Sequence, residues 1–325
     1  MPPAELARAF VHRFPRPRVR GRDASLQFCV RRYAGPAVYA EQLSGLRVAH
    51  LTDLHVGCVT PMAAQWAAVA LTNRERPDLV AITGDFVAHS QLYLEHLSEI
   101  VRGFEAPVVC VLGNHDHWAG GAEVRRTLQR AGAEVLSNSH TELTLRRQRF
   151  QVVGLDDAYT GQAEWQTAVR GLRTDLPSIG LSHIAEEADA LWRVGVPLVL
   201  AGHTHAGMVT VARLHELAIG RLAGHRYIHG LYGTRRVTRG GAGAVYVGAG
   251  VGAAVMPLRV GARSRREVTV FELGCLPGTF SEPMPEQDPG PGREPTPHQT
   301  YRRAAKVVKN EQRRARRAAS PPHSG

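Results

Sequence analysis

The chain has 325 residues, 43% of them hydrophobic and 21% charged, which is enough apolar content for one large core or two modest ones and excludes wholesale disorder. A net charge of +11, from 40 Lys and Arg against 29 Asp and Glu, favours anionic partners such as phosphates, nucleic acid or acidic lipid. Four scattered cysteines, Cys29, Cys58, Cys110 and Cys275, form no C-x-x-C pair, so a disulfide framework and a zinc ribbon are both excluded and a reducing cytoplasm fits.

Residues 1–23 read as a basic N-terminal arm, with a short helix over Ala4–Arg13 that Pro15 and Pro17 terminate. The start at Met1-Pro2-Pro3 lacks the basic and apolar stretches of a secretory signal, and Arg31-Arg32 resembles a twin-arginine pair without the apolar run that export needs. No run approaches the ~18 apolar residues of a membrane span, so the expected location is cytoplasmic, with at most peripheral membrane contact. Leu26, Phe28 and Val30 alternate with polar residues and predict an edge strand.

Leu46–Leu51 is the first central strand, and it ends in Thr52-Asp53-Leu54-His55. If that ending is extended, Asp53 and His55 face one side and reach one ion. Thr60-Pro61 opens a helix to about Glu75, with Thr60 as its capping hydroxyl. Asp78–Thr83 is a second apolar strand and ends in Gly84-Asp85; a helix over Leu92–Val101 follows. Pro107–Leu112 ends in Gly113-Asn114-His115-Asp116, before a helix over Gly121–Arg130 and a strand at Ala133–Leu136. This alternation implies a parallel sheet.

After Ser137 the pattern changes. Thr141–Leu145 and Phe150–Gly154 read as a hairpin that starts a second, mixed sheet, and a helix over Glu164–Leu172 follows. Ser178–Ser182 ends in His183, and Leu198–Ala201 ends in Gly202-His203-Thr204-His205. Met208–Ala212, Tyr227–His229, Ala244–Val247 and Val268–Leu273 are further strands. Residues 276–325 are rich in Pro, Gly and then Arg, and read as a linker with a disordered basic tail in which Gln299–Ala319 has helical potential.

The polar strand ends collect Asp53, His55, Asp85, Asn114, His115, His183, His203 and His205. Any one is an ordinary loop residue; GNHD alone is also a good turn and helix start. Their recurrence as carboxylate, imidazole and amide matches the ligands of borderline and hard divalent ions. Two ions about 3.5–4 Å apart need a bridging ligand, and Asp85 is the candidate.

D-x-H at Asp53 and His55, G-D at Gly84 and Asp85, G-N-H-D from Gly113 to Asp116, then His183 and G-H-x-H from Gly202 to His205 together resemble the calcineurin-like metallophosphoesterase superfamily. The resemblance runs from about Ser25 to Leu273. The later segments around Tyr232-Gly233 and Tyr246–Gly252 resemble its bacterial branch of YkuE- and YaeI-type phosphodiesterases. It implies a four-layer α/β/β/α sandwich of two mixed sheets flanked by helices, the metallo-dependent phosphatase fold, over residues 24–275.

It further implies two divalent ions, drawn from manganese, iron or zinc. Asp53, His55 and His205 would hold the first and Asn114, His183 and His203 the second, with Asp85 bridging. His115 would stay free of metal, with Asp116 accepting a hydrogen bond from its ring. Phosphodiester or phosphomonoester hydrolysis by a metal-bound hydroxide follows, with protonated His115 meeting the leaving oxygen. The alternatives are a lipid-linked pyrophosphate hydrolase of the UDP-diacylglucosamine type, a nuclease, or a scaffold with the same fold and no chemistry.

His183-Ile184-Ala185-Glu186 and the interruption by Ala206 and Met208 depart from the branch pattern and leave substrate choice open. Asp156 and Asp157 read as solvated turn carboxylates, Arg235 and Arg236 as an exposed basic turn or a phosphate clamp. His215, His225 and His229 read as structural, and Cys58 as at least half-buried.

Overall fold

Short β-branched runs form the centre of this protein because alternate side chains of each strand enter two different cores. Leu79 and Ala81 face one way, Val80 and Ile82 the other, and all four are buried. The computed structural model describes residues 27–207, 223–236, 241–254 and 259–319. The expected N-terminal arm and helix, the strand over Met208–Ala212 and His215 lie outside these.

One sheet contains β1 (Phe28–Ala34), β2 (Leu46–Leu51), β3 (Leu79–Thr83), β4 (Val108–Val111), β5 (Glu134–Val135) and β12 (Arg266–Leu273), in the order β1-β12-β2-β3-β4-β5. β12 runs antiparallel to β2, and the other neighbours are parallel. The second contains β6 (Ser139–Leu145), β7 (Gln148–Gly154), β8 (Ser178–Leu181), β9 (Leu198–Ala201), β10 (Gly230–Gly233) and β11 (Ala244–Val247), ordered β10-β11-β9-β8-β7-β6. Its two edge pairs are antiparallel around a parallel centre.

Val109, Val111, Phe150, Val152, Leu181 and Leu200 fill the space between the sheets. Helices α1 (Met62–Arg74), α2 (Leu94–Arg102) and α3 (Asn114–Arg130) cover the outer face of the first sheet through residues such as Ala68, Leu97 and Leu128. The short α4 (Trp165–Ala168) and α5 (Ala188–Arg193) cover the second through Ala168 and Leu191. The result is the expected α/β architecture of two mixed sheets flanked by helices.

Local departures have identifiable causes. Thr60 does not cap α1: its hydroxyl donates to Ala253 O (3.3 Å) and accepts from Ala253 N (3.0 Å), so Pro61 alone precedes the helix. The helix expected over Glu164–Leu172 shrinks to α4, and the strand expected at Tyr227–His229 begins instead at Gly230.

The largest departure is C-terminal, where a disordered tail was expected. Residues 276–296 are fastened by backbone bonds, including Gly233 N to Gln287 O (3.1 Å) and Gly290 N to Arg226 O (2.9 Å). Arg235, only 4% exposed, donates to Glu282 Oε2 (2.7 Å) and Glu286 Oε1 (2.9 Å), so it is neither an exposed turn nor a phosphate clamp. A 23-residue helix α6 (Pro297–Ala319) follows. It docks where α3 breaks at Gly120 (φ 118°, ψ 80°), a conformation that favours glycine. Asn310 Nδ2 (3.1 Å) and Arg314 Nη1 (2.8 Å) both donate to the Trp118 carbonyl. Composition weighs apolar burial; this segment is held by polar bonds to specific partners.

Gly120→Ala is therefore expected to destabilise the fold by about 1–3 kcal/mol through backbone strain. It should also release α6. Denaturant unfolding reads the first effect, and faster trypsin cleavage within residues 297–319, followed by mass spectrometry, reads the second.

Candidate metal centre

The loops after β2 and β3 run side by side: Asp53 N donates to Gly84 O (3.0 Å), His55 N to Asp85 O (2.9 Å) and Val56 N to Phe86 O (2.8 Å). The segment after β2 is not extended, as the sequence argument assumed. Asp53 (φ 52°), His55 (φ 44°), Asp85 (φ 55°), His203 (φ 74°) and His205 (φ 52°) all occupy the left-handed region. Non-glycine residues there cost on the order of 1 kcal/mol or more each, and such strain clusters at functional sites. Gly113 gives the close approach these loops need, since a Cβ on it would sit 2.6 Å from Asp85 N.

The expected ligands converge in two cages. In one, Asp53 Oδ1 lies 3.3 Å from His205 Nε2 and 3.7 Å from His55 Nε2, and the two ring nitrogens are 3.0 Å apart. In the other, His183 Nε2 lies 3.2 Å from Asn114 Oδ1 and 3.3 Å from His203 Nδ1. Asp85 Oδ2 stands between them, 3.5 Å from His55 Nε2 and 3.4 Å from His183 Nε2. Asp53, His55, Asp85, Asn114 and His183 are buried.

This donor set fits divalent cations. Asp53 Oδ1 is buried with no hydrogen-bond donor, which is costly for a carboxylate unless a cation faces it. His183 Nδ1 donates to Thr83 O (2.7 Å), which turns its Nε2 lone pair toward Asp85 and Asn114. Burial, reinforced by neighbouring imidazoles, holds His55 and His203 well below their usual range, so both keep free lone pairs at neutral pH. Burial would raise the Asp85 carboxyl, but the His183 and His115 rings outweigh it and keep it ionised. Against burial, Asp85 in turn draws a proton onto His183, a charge that a cation at the same place would take over.

His115 sits beside the cluster, with a ring nitrogen within 4.8 Å of ligand atoms of His55 and Asp85. Its backbone N donates to Asp85 Oδ1 (2.8 Å), and its Nδ1 donates to the Ala88 carbonyl. The expected bond to Asp116 is absent. Both residues begin α3, and successive helical side chains point about 100° apart. Asp116 instead accepts from Gly113 N (2.9 Å) and Val87 N (3.1 Å), which ties the helix start to the Asp85 loop.

Several contributors around the site escaped the sequence reading. Tyr159 packs on His203 (ring centroids 4.9 Å apart) and Trp118 on His115 (4.9 Å). His225, expected to be structural, lies 5.2 Å from the His203 ring and is held by Glu186 (3.2 Å). The motif departure at Glu186 thus supports the rim. Asp156 and Asp157 are buried rather than solvated: Asp156 faces His117 Nε2 (2.7 Å), and Asp157 accepts from Thr160 N (2.8 Å). Cys58 is exposed, and His229 is structural as expected, 3.0 Å from buried Glu267.

Fold and site together define a metallophosphoesterase. Residues 46–207 match the family described as calcineurin-like phosphoesterase. The uncharacterized metallophosphoesterase YkuE of Bacillus subtilis (strain 168) is 30% identical over 235 residues, covering 70% of this chain and 79% of that one. Phosphodiesterase YaeI of Escherichia coli (strain K12) is 28% identical, covering 73% of this chain and 85% of that one. A transmembrane protein with metallophosphoesterase domain from Danio rerio is 31% identical over 72% of this chain, which spans 54% of that protein's length. The chain belongs to the calcineurin-like metallophosphoesterase family.

The unpartnered Oδ1 of Asp53 gives a sharp expectation. Asp53→Asn should raise the stability of metal-free protein by about 1 kcal/mol, because a buried carboxylate with one oxygen lacking a donor is removed and Asn tolerates the left-handed region. The same substitution should erase any rise in thermal midpoint that an added divalent cation such as manganese gives the wild type. Scanning calorimetry with chelator and with manganese tests both.

Proposed function

We propose that the chain hydrolyses phosphodiester or phosphomonoester bonds at a two-cation centre, with residues 24–275 as the catalytic unit. Asp53, His55 and His205 hold one ion, Asn114, His183 and His203 the other, and Asp85 serves both. The observation that carries this reading is the position of Asp85 Oδ2, nearly equidistant from one imidazole of each cage. When bound, manganese, iron or zinc ions supply an activated water and neutralise the phosphoryl oxygens.

The chain's own groups do the rest. His115 Nδ1 is committed to the Ala88 carbonyl, so Nε2 is the atom that gives a proton to the leaving oxygen. Asp116 is a positioning residue: through Gly113 and Val87 it fixes the loop that presents His115 and Asp85. The rim of Tyr159, Trp118 and His225 packs on the His115 and His203 rings and holds their planes. The name of the Escherichia coli relative supports the diester over the monoester. No helix among the described residues is long and apolar enough to cross a membrane.

Purified protein loaded with manganese should cleave bis-p-nitrophenyl phosphate, and Asp85→Ala should abolish the activity; unchanged turnover would sink the assignment. Neighbouring substitutions should separate by role. Asn114→Ala should lower the metal content per chain, whereas His115→Ala should keep it and lower kcat roughly 10²–10⁴-fold, as loss of a proton donor does.

A further inference from the structure

The C-terminal helix brings two cations to the edge of this same site. Lys306 Nζ lies 3.2 Å from the centroid of the Trp118 ring, which in turn packs 4.9 Å from the His115 ring. Arg303 Cζ lies 3.8 Å from the Tyr159 ring, which packs 4.9 Å from the His203 ring. Trp118 and Tyr159 themselves meet edge to face at 5.9 Å. One aromatic pair therefore carries a cation on each ring and touches both His115, beside the first cage, and His203, a member of the second.

Seating the helix does not require these charges. Asn310 and Arg314 already bond the Trp118 carbonyl, and Val307 is buried between them and the cations. Residues 303, 306, 310 and 314 recur at helical spacing, so the anchoring pair and the cationic pair share one face. Arg303 and Lys306 differ from the anchors in their partners. Among the described residues neither has a carboxylate at ion-pair distance, and neither donates a hydrogen bond to the protein. Partial burial lowers the Lys306 ammonium with no acid to offset it.

A cation resting on a ring face keeps N–H donors for an outside acceptor. Next to a site that holds divalent ions, two more uncompensated cations repel unless an anion lies between. A single scissile phosphate is already occupied by the metal-ligand cluster, so the rim calls for a second anionic group.

We infer that Arg303 and Lys306 bind a second phosphate of a small soluble substrate whose scissile phosphoester lies at the Asp85 cluster. The inference rests on the hydrolase reading for the scissile group and assigns specificity to a helix outside the matched family region. Binding energy from this remote phosphate orients the ester at the cluster.

The test uses the p-nitrophenyl ester of thymidine 5′-phosphate, with and without a second phosphate on the 3′ oxygen, and full-length protein loaded with manganese. Wild type should prefer the doubly phosphorylated ester at least tenfold in kcat/KM, through KM, and the preference should shrink with added salt. Arg303→Gln with Lys306→Gln should remove the preference and leave turnover of the singly phosphorylated ester within twofold. Arg303→Lys with Lys306→Arg should retain it, which separates charge from helix seating.

Calorimetric titration of thymidine 3′,5′-bisphosphate against thymidine 5′-phosphate supplies a readout that needs no turnover. Tighter bisphosphate binding that the Gln pair abolishes supports the inference even if no ester is cleaved, in which case only the hydrolase reading fails. Equal binding of the two nucleotides overturns it. So does faster cleavage of both esters by the Gln pair, which would make α6 an obstructing strap. Loss of sedimentation with anionic vesicles in the Gln pair, alongside indifference to the bisphosphate, would assign the cations to a membrane surface instead.

Discussion

Asp85 lies where two loops and two sheets meet, and it is tied on every side. Its carbonyl accepts from His55 N, its Oδ1 accepts from His115 N, and its Oδ2 faces one imidazole of each cage. Its backbone is left-handed, a conformation that the isolated loop would relax away from. The sandwich prevents this. β2 and β3 pair in parallel up to Leu51 and Ile82, so the loops that follow must leave side by side. A core between the sheets then fixes the distance from these loops to His183 and His203, which arrive on β8 and β9 of the other sheet.

Much of this was legible because two kinds of pattern coincide. Strands such as Leu79–Thr83 are buried on both faces and therefore read as unbroken apolar runs. Each run stops at the sheet edge, so the polar residue after it marks the site: Asp53, Asp85, Asn114, His183 and His203 all come from that rule. Side-chain partners were less legible. The family resemblance implies a bond from His115 to Asp116, but helical geometry turns the two side chains apart and gives Asp116 to Gly113 and Val87. Tyr159, Trp118 and His225 carry no periodic signal, since they are brought to the rim by loops and by a helix break.

The C-terminal segment shows the same limit from the other side. Its composition is that of a chain unable to bury a core, and few of its apolar side chains are buried. What orders it is a set of pairings between residues far apart in sequence. Arg235 meets Glu282 and Glu286, and the carbonyl exposed by the break at Gly120 meets Asn310 and Arg314. An arginine and a glycine that look incidental in the sequence thus join the backbone bonds in placing more than forty residues.

The place of α6 in the chain has a consequence for assembly. Every residue of the two cages lies between Asp53 and His205, whereas Arg303 and Lys306 follow by about a hundred residues. β12 lies between β1 and β2, so the sheet that carries Asp53 and His55 is complete only once that strand has been made. α6, which follows β12 in the chain, adds no strand to either sheet. The sandwich that holds the cages is therefore complete in its strands by Leu273, and α6 is laid on it as a separate piece whose seat is the Trp118 carbonyl.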